Sequence, residues 1–230
     1  MGMIELLHTD CMEYMRGLPD KAYDLAIVDP PYGISAADDA RFGVKTKKAG
    51  SVRTAYVRKA WDSATPPAEY FDELRRVSRD QIVWGGNYFG LIGGMLFWHK
   101  NQTEYSSSSG ELAYLSMATG VHYVDILWHG AYQQDMRNKE QRIHPTQKPV
   151  ALYRWLLQNY AKPGQRILDT HGGSMSIAIA CDIEGFDLTV CEIDKDYFEA
   201  GKKRLEQHQA QPRLFEAPAA KMPEQLTLDA

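Results

Sequence analysis

The segment Tyr23-Asp24-Leu25-Ala26-Ile27-Val28-Asp29-Pro30-Pro31-Tyr32-Gly33 (residues 23–33) predicts a buried strand that ends abruptly. Residues 25–28 form a short apolar run with β-branched members, which is typical of a strand covered on both faces. Two prolines follow. Neither has an N–H to donate and each fixes its own φ, so the chain after Asp29 is a stiff, extended turn. Because ligands bind at the carboxyl ends of strands in open α/β sheets, this turn is a candidate functional site.

The residues of the turn suit a narrow chemistry. The Asp29 carboxylate and the Pro30 carbonyl are two acceptors, which together can hold both hydrogens of an exocyclic amino group and direct its nitrogen lone pair outward. Tyr32 offers a flat ring on which a nucleobase can stack. The alternative is a strand-ending turn with a capping aspartate and no further role.

A second unit with a recognisable pattern lies near the end of the chain. Residues 166–169 predict a strand, residues 170–176 a glycine-containing turn, residues 177–184 a helix, and residues 188–192 a second strand ending in Glu192. Glycines let the backbone approach a ligand closely, and an acid at the end of the second strand accepts from ribose hydroxyls. The phosphate-binding patterns G-x-G-x-x-G and G-x-x-x-x-G-K are absent, so the turn favours an uncharged adenosine with an amino-acid tail, such as S-adenosyl-L-methionine (AdoMet).

Asp29-Pro30-Pro31-Tyr32 after an apolar strand resembles the catalytic motif of amino-group DNA methyltransferases, the N6-adenine and N4-cytosine enzymes. The resemblance extends over Ile4 to His208. It includes His144-Pro145-Thr146-Gln147-Lys148-Pro149, the usual segment before the cofactor strand, and the order of the parts is that of the β group. Adenine enzymes usually carry Asp or Asn at the first motif position, whereas cytosine enzymes more often carry Ser. The resemblance therefore implies a DNA adenine N6-methyltransferase, with N4-cytosine methylation as the alternative.

The fold implied by the resemblance is α/β, namely the Rossmann-like AdoMet-dependent methyltransferase fold. It has a seven-stranded, mostly parallel sheet with helices on both faces, ending in one antiparallel strand. The catalytic half and the cofactor half are permuted in sequence, yet Asp29 and the Asp169 turn are expected at adjacent strand ends. The catalytic domain is predicted over residues 1–209, followed by a mobile tail over 210–230. Within the domain, Glu111 to Ala118 predicts a short helix.

The resemblance also implies the roles of individual residues. The catalytic set is Asp29, Pro30, Pro31 and Tyr32. The cofactor-binding set is Asp10, Cys11, Lys148, Asp169, Thr170, His171, Gly172, Gly173, Ser174, Glu192 and Ile193. Asp10 is also a predicted helix N-cap. Lys148 precedes a helix, where a cation gains nothing from the helix dipole, which indicates a carboxylate partner on a ligand or another loop.

The glycine turn departs from the family pattern Asp-Pro-Phe-x-Gly-Ser-Gly. This chain has Asp169-Thr170-His171-Gly172-Gly173-Ser174-Met175, so Thr170 and His171 replace Pro and Phe, and Met175 replaces the last glycine. If that position has positive φ, Met costs about 1 kcal/mol or more, and its side chain could crowd the cofactor. If the position is already helical, Met is well tolerated.

Contacts to DNA are predicted for three insertion loops, residues 34–66, 100–110 and 130–143. The first is basic and carries the predicted phosphate-contacting residues Lys45, Lys47, Lys48, Arg53, Arg58 and Lys59. Its alternative interpretation is a solvated, disordered insertion. The other two loops are the candidates for reading DNA sequence. The resemblance further implies double-stranded DNA as the partner, and a homodimer as in many relatives.

Composition limits the remaining choices. The net charge of −4 gives no global nucleic-acid signature, so DNA binding depends on local patches. Three cysteines without a CxxC pair argue against a disulfide framework and against a metal site, and favour a reducing, cytoplasmic location. No apolar run reaches the length of a membrane span and no signal peptide is recognised.

Other functions remain open at this point. One is methylation of RNA or of a protein glutamine, and another is a DNA-binding relative without catalysis, suggested by Met175. The tail contains Gln211-Pro212-Arg213-Leu214-Phe215, which is similar to the short peptide that docks on bacterial sliding clamps. The alternative for this peptide is a segment that folds onto its own domain.

Overall fold

The computed structural model describes residues 2–34, 62–101, 108–129 and 132–211. The basic residues Lys45, Lys47, Lys48, Arg53, Arg58 and Lys59 and the clamp-like peptide of the tail after Gln211 lie outside the described residues, so their predicted roles stay predictions. No helix in the described ranges is long and apolar enough to cross a membrane.

The described chain alternates strands and helices. The strands are β1 (Ile4–His8), β2 (Tyr23–Val28), β3 (Ser78–Trp84), β4 (Gly94–His99), β5 (Gly110–Leu115), β6 (Val121–Asp125), β7 (Trp128–His129), β8 (Tyr132–Gln133), β9 (Arg166–Asp169) and β10 (Asp187–Glu192). The helices are α1 (Cys11–Arg16), α2 (Ala68–Val77), α3 (Val150–Tyr160), α4 (Ser176–Glu184) and α5 (Lys195–Gln209).

Eight of these strands form one sheet in the order β1-β10-β9-β2-β3-β5-β4-β6, and β7 and β8 form a separate pair. β5 is antiparallel to both of its neighbours, and the other pairs are parallel. The predicted α/β fold with a mostly parallel sheet is thus confirmed. The expected count of seven strands is wrong for the described part of the chain, because β6 adds an edge strand beside β4. The antiparallel strand lies inside the sheet rather than at its end.

Helices cover both faces of the sheet because the central strands are apolar on both sides. On β2, Leu25 and Ile27 pack into a core with residues of α3 and α4, whereas Ala26 and Val28 pack into a second core with residues of α1 and α2. All four side chains are buried. This two-sided burial explains why the strand is a continuous apolar run rather than an alternating one.

Several strand ends meet at one edge of the sheet, which is called the rim below. β2 and β9 are parallel neighbours, so Asp29 and the turn after Asp169 lie at adjacent strand ends, as predicted despite the permuted order. Because β5 runs the other way, its amino end reaches the same rim as the carboxyl ends of β3 and β4. This places Glu111 there. The prediction of a helix over Glu111 to Ala118 is wrong, since residues 110–115 pair with both neighbouring strands.

Candidate active site

The turn after β2 holds the Asp29 carboxylate between two donors. The Tyr32 hydroxyl donates to Oδ1 of Asp29 at 2.6 Å, and the Lys148 ammonium donates to Oδ2 at 2.5 Å. The same ammonium lies 3.2 Å from the Tyr32 oxygen. Lys148 lies two residues before α3, in the HPTQKP segment, so one ion pair joins that segment to the Asp-Pro-Pro-Tyr segment. The carboxylate partner predicted for Lys148 is therefore Asp29.

This ion pair continues into a row of alternating charges. Oε2 of Glu111 lies 3.0 Å from the Lys148 nitrogen, and Lys100 pairs with Oε1 of Glu111. The Lys148 side chain is only 3% exposed, and its nitrogen also lies 5.0 Å from the ring centre of Trp84. Glu111 was not among the predicted site residues, and Lys100 was included only as the first residue of a predicted DNA-contacting loop, because neither lies in a recognisable motif.

Burial and neighbouring charge set the protonation of this row. Burial raises the pKa of Asp29, and Lys148 opposes that rise. Burial lowers the pKa of Lys148, but the charges of Asp29 and Glu111 outweigh it, so its pKa is raised. Burial also raises the pKa of Glu111, yet the two lysines lower it to about 2. Glu111 and Lys148 are therefore both charged at neutral pH.

Aromatic rings line the site next to Asp29. The Tyr32 ring stacks on Tyr88 with centroids 5.0 Å apart and planes 15° apart, and Phe89 meets its edge at 6.1 Å. Tyr88 is half exposed. Gly85, at the end of β3, makes room for this ring: it has φ +70°, and a Cβ there would lie 2.3 Å from Tyr32 Cε1. The turn after β3 thus supports the aromatic residue of the turn after β2.

A cleft of about 240 Å³ opens beside this turn, and Pro31 is part of its wall. Six predicted cofactor residues also line it: Asp10, Cys11, Thr170, His171, Glu192 and Ile193. Tyr70 of α2 lines the cleft as well and was not predicted. Its hydroxyl lies 2.6 Å from Oγ1 of Thr170, which in turn lies 2.9 Å from Nδ1 of His171. The two residues that replace Pro and Phe are thus joined by hydrogen bonds in the cleft wall.

Several groups around the cleft are held neutral by burial. Burial lowers the pKa of His171 to about 4, so its imidazole is uncharged at neutral pH. Burial, with a smaller contribution from Asp10, raises the pKa of the Cys11 thiol to about 12. The Asp10 carboxylate accepts from the backbone N–H of Met12 at 2.7 Å, which confirms the predicted N-cap of α1. Asp10 therefore caps a helix and faces the cleft.

The remaining predicted cofactor residues do not line the cleft. The Asp169 carboxylate is buried, accepts from the N–H of His171, and has its pKa raised to about 8 by burial. Gly173 donates its N–H to Oε2 of Glu192 at 2.7 Å. Gly172, Ser174 and Lys148 are not part of the wall either. Cofactor contacts by these residues stay predictions.

Met175 adopts the left-handed conformation, with φ +56° and ψ +29°, directly before α4. The position thus has positive φ. The side chain is fully buried and packs against Gly172 and against Gly201 of α5, where an added Cβ would lie 2.4 Å from Met175 Cγ. Met175 does not line the cleft. Its side chain therefore fills space that Gly201 leaves open.

In the described residues, no group of three or more His, Cys, Asp or Glu side chains is arranged to hold a metal ion. The described side chains supply a carboxylate and aromatic rings beside a cleft with two acidic side chains.

Comparison with known proteins shows what this chain is similar to. Residues 94–203 match the family described as DNA methylase (N6_N4_Mtase). The chain is 25% identical over 214 residues to the “Putative methylase YubD” of Escherichia coli (strain K12), which covers 88% of this chain and 90% of the relative. It is 22% identical over 249 residues to the DNA adenine methyltransferase YhdJ of the same organism, covering 87% of this chain and 82% of YhdJ. The solved structure of the M1.HpyAVI–SAM complex aligns with 88% of this chain and with 100% of its own chain, with a TM-score of 0.54 at 19% sequence identity. The chain is therefore similar to the N6/N4 DNA methylase family over residues 94–203, and to methylases over most of its length.

Proposed function

We propose that this protein transfers the methyl group of AdoMet to the N6 amino group of adenine in double-stranded DNA. One observation carries the proposal: a single turn, Asp29 to Tyr32, presents a carboxylate to the rim and contributes Pro31 to the wall of the adjoining cleft. An acceptor for amino hydrogens and a site for an adenosine cofactor are thereby adjacent.

The cleft fits AdoMet in its donor and acceptor groups. The Glu192 carboxylate faces the cleft; its two oxygens accept from Gly173 and Asp194 and each keeps a lone pair for a ribose hydroxyl. Ile193 is two-thirds exposed on the wall and offers an apolar surface for an adenine ring. When bound, AdoMet supplies a methyl group on a positively charged sulfur, which is already a strong electrophile.

The chain's own residues then orient the target. Adenine must leave the helical stack, because its amino group is inaccessible while paired. Tyr32 stacks on the extruded base. Asp29 and the Pro30 carbonyl accept the two amino hydrogens, which localises the nitrogen lone pair and orients it for in-line attack. Asp29 need not be a strong base, since the amine becomes acidic only as the new bond forms.

Asp29 at the first motif position and the similarity to YhdJ support adenine as the target. The test is single-molecule sequencing of DNA from a methylation-free host that expresses this chain. Modified adenine in one sequence context is the expected result and reveals the recognition sequence. Modified cytosine in place of modified adenine would contradict the choice of base but would be consistent with the same mechanism. DNA without modification from cells containing folded protein contradicts the proposed function.

A further inference from the structure

The Lys148 ammonium has three N–H donors, and three acceptors surround it. Oδ2 of Asp29 lies at 2.5 Å, Oε2 of Glu111 at 3.0 Å and the Tyr32 oxygen at 3.2 Å. Each donor therefore has one partner. Because Lys148 is buried, the position of its charge is fixed by these three groups and not by solvent.

Glu111 occupies its place because β5 is antiparallel. It is the second residue of β5 and pairs in register with Trp98 of β4, two residues before Lys100. Lys100 pairs with Oε1 and leaves Oε2 for Lys148. The ends of β4 and β5 thus deliver one lysine and one glutamate to the site from a part of the chain that contains no catalytic motif.

The charges explain what Glu111 contributes. Bound to Asp29 alone, an ammonium would hold the carboxylate in a tight ion pair and weaken it as an acceptor for an incoming amino group. A second carboxylate on the opposite side shares the ammonium and reduces that hold. Glu111 also raises the pKa of Asp29, whereas Lys148 lowers it, so the two act on Asp29 in opposite directions.

We propose that Glu111, itself held by Lys100, is a positioning residue for methyl transfer: it shares the Lys148 ammonium and keeps Asp29 available to the target amino group. This inference rests on the proposed function. Glu111 does not line the cleft, and acts through Lys148.

Glu111→Gln tests the proposal because it keeps the shape and one acceptor oxygen but removes the charge. We expect kcat of methyl transfer to fall by about 10²-fold, the scale of a misplaced catalytic contact, while AdoMet affinity measured by calorimetry stays unchanged. The acid limb of the pH profile of kcat should move to lower pH, since Lys148 then acts on Asp29 without opposition. Tyr32, Asp169 of β9 and Tyr153 of α3 also interact electrostatically with Asp29. These three residues are the same in the wild type and in Glu111→Gln, so they do not contribute to the difference between the two pH profiles.

A double-mutant cycle separates positioning from general damage. If Glu111 acts through Lys148, Glu111→Gln should change kcat little in a Lys148→Met background. This comparison also serves if the single variant is poorly folded, because the double variant removes one charge of each sign. Asp72→Asn is the matched control: it breaks an exposed ion pair with Arg75 on α2 and should leave kcat and the pH profile unchanged.

The outcomes separate the two proposals. A wild-type protein that methylates no DNA overturns the proposed function and this inference with it. An active wild type whose Glu111→Gln variant has the same kcat and the same acid limb overturns the inference alone. An equal loss from Glu111→Gln with and without Lys148 also overturns it, since Glu111 would then act independently of the lysine.

Discussion

The Lys148 nitrogen lies 2.5 Å from Oδ2 of Asp29, although 119 residues separate the two in sequence. One residue closes the turn after β2 and the other precedes α3. With the Tyr32 hydroxyl on Oδ1, both carboxylate oxygens already accept a hydrogen bond. An amino group that binds Asp29 must therefore use a remaining lone pair or displace one of these donors. Three predictions concern this arrangement.

Asp29→Ala should abolish methyl transfer, because it removes the carboxylate acceptor of this turn. AdoMet binding should persist, since Asp29 is not part of the cleft wall. Asp29→Asn should retain a fraction of the activity, because an amide oxygen still accepts one hydrogen bond. Transfer of labelled methyl groups, with calorimetry of AdoMet binding, measures both effects. Turnover by Asp29→Ala would falsify the catalytic role of Asp29.

The activity should depend on pH through Asp29, because an ionised carboxylate is a stronger acceptor for an amino hydrogen than the neutral acid. Burial raises its pKa above the ordinary 3.8, so kcat should decline at a higher pH than an exposed aspartate would allow. Lys148 lowers this pKa. In Lys148→Met the acid limb of the kcat profile should therefore shift to higher pH, opposite to the shift expected for Glu111→Gln.

Single-turnover rates at saturating AdoMet across pH 4 to about 9 measure this limb. Lys202→Met, which removes an exposed lysine from α5, is the control and should leave the limb in place. An unchanged limb in Lys148→Met would show that the ion pair does not influence the ionisation of Asp29 during turnover.

Gly85→Ala should impair turnover by displacing Tyr32. The new Cβ would lie 2.3 Å from the ring and the backbone has φ +70°, so the substitution adds both a clash and strain. Gly90→Ala is a close control: it has φ +66° and nothing within 4 Å of the added atom. Both variants should lose about 1 kcal/mol of stability from the backbone, whereas only Gly85→Ala should lose methyl transfer. Equal activity in the two variants would contradict the role of Gly85.

The parts of the site that could be predicted from the sequence are those encoded within one short segment of the chain. Two prolines after an apolar strand predict the Asp29 turn, and the unfavourable position of Lys148 before a helix indicates a carboxylate partner. Glu111 was not predicted as a site residue because its segment was predicted as a helix, which Glu, Leu and Ala favour in isolation. The segment forms a strand instead because it pairs with β3 and β4 on both sides. Tyr70 was not predicted to line the cleft because its spacing with other apolar residues of α2 indicates only core packing. Contacts such as Glu111 to Lys148 depend on strand order, which no local pattern encodes.

Met175→Gly tests whether the methionine that replaces the family's glycine crowds the cofactor or only fills the core. The side chain packs against Gly172 and Gly201, away from the cleft, so removing it should leave AdoMet affinity unchanged. Stability should fall, because losing a buried methionine costs about 2–5 kcal/mol and relief of the left-handed backbone returns only about 1 kcal/mol. Met175→Ala keeps the strained backbone and should be less stable than Met175→Gly by about 1 kcal/mol. Denaturant unfolding and calorimetry measure the two quantities. Tighter AdoMet binding by Met175→Gly would mean that the methionine does crowd the cofactor.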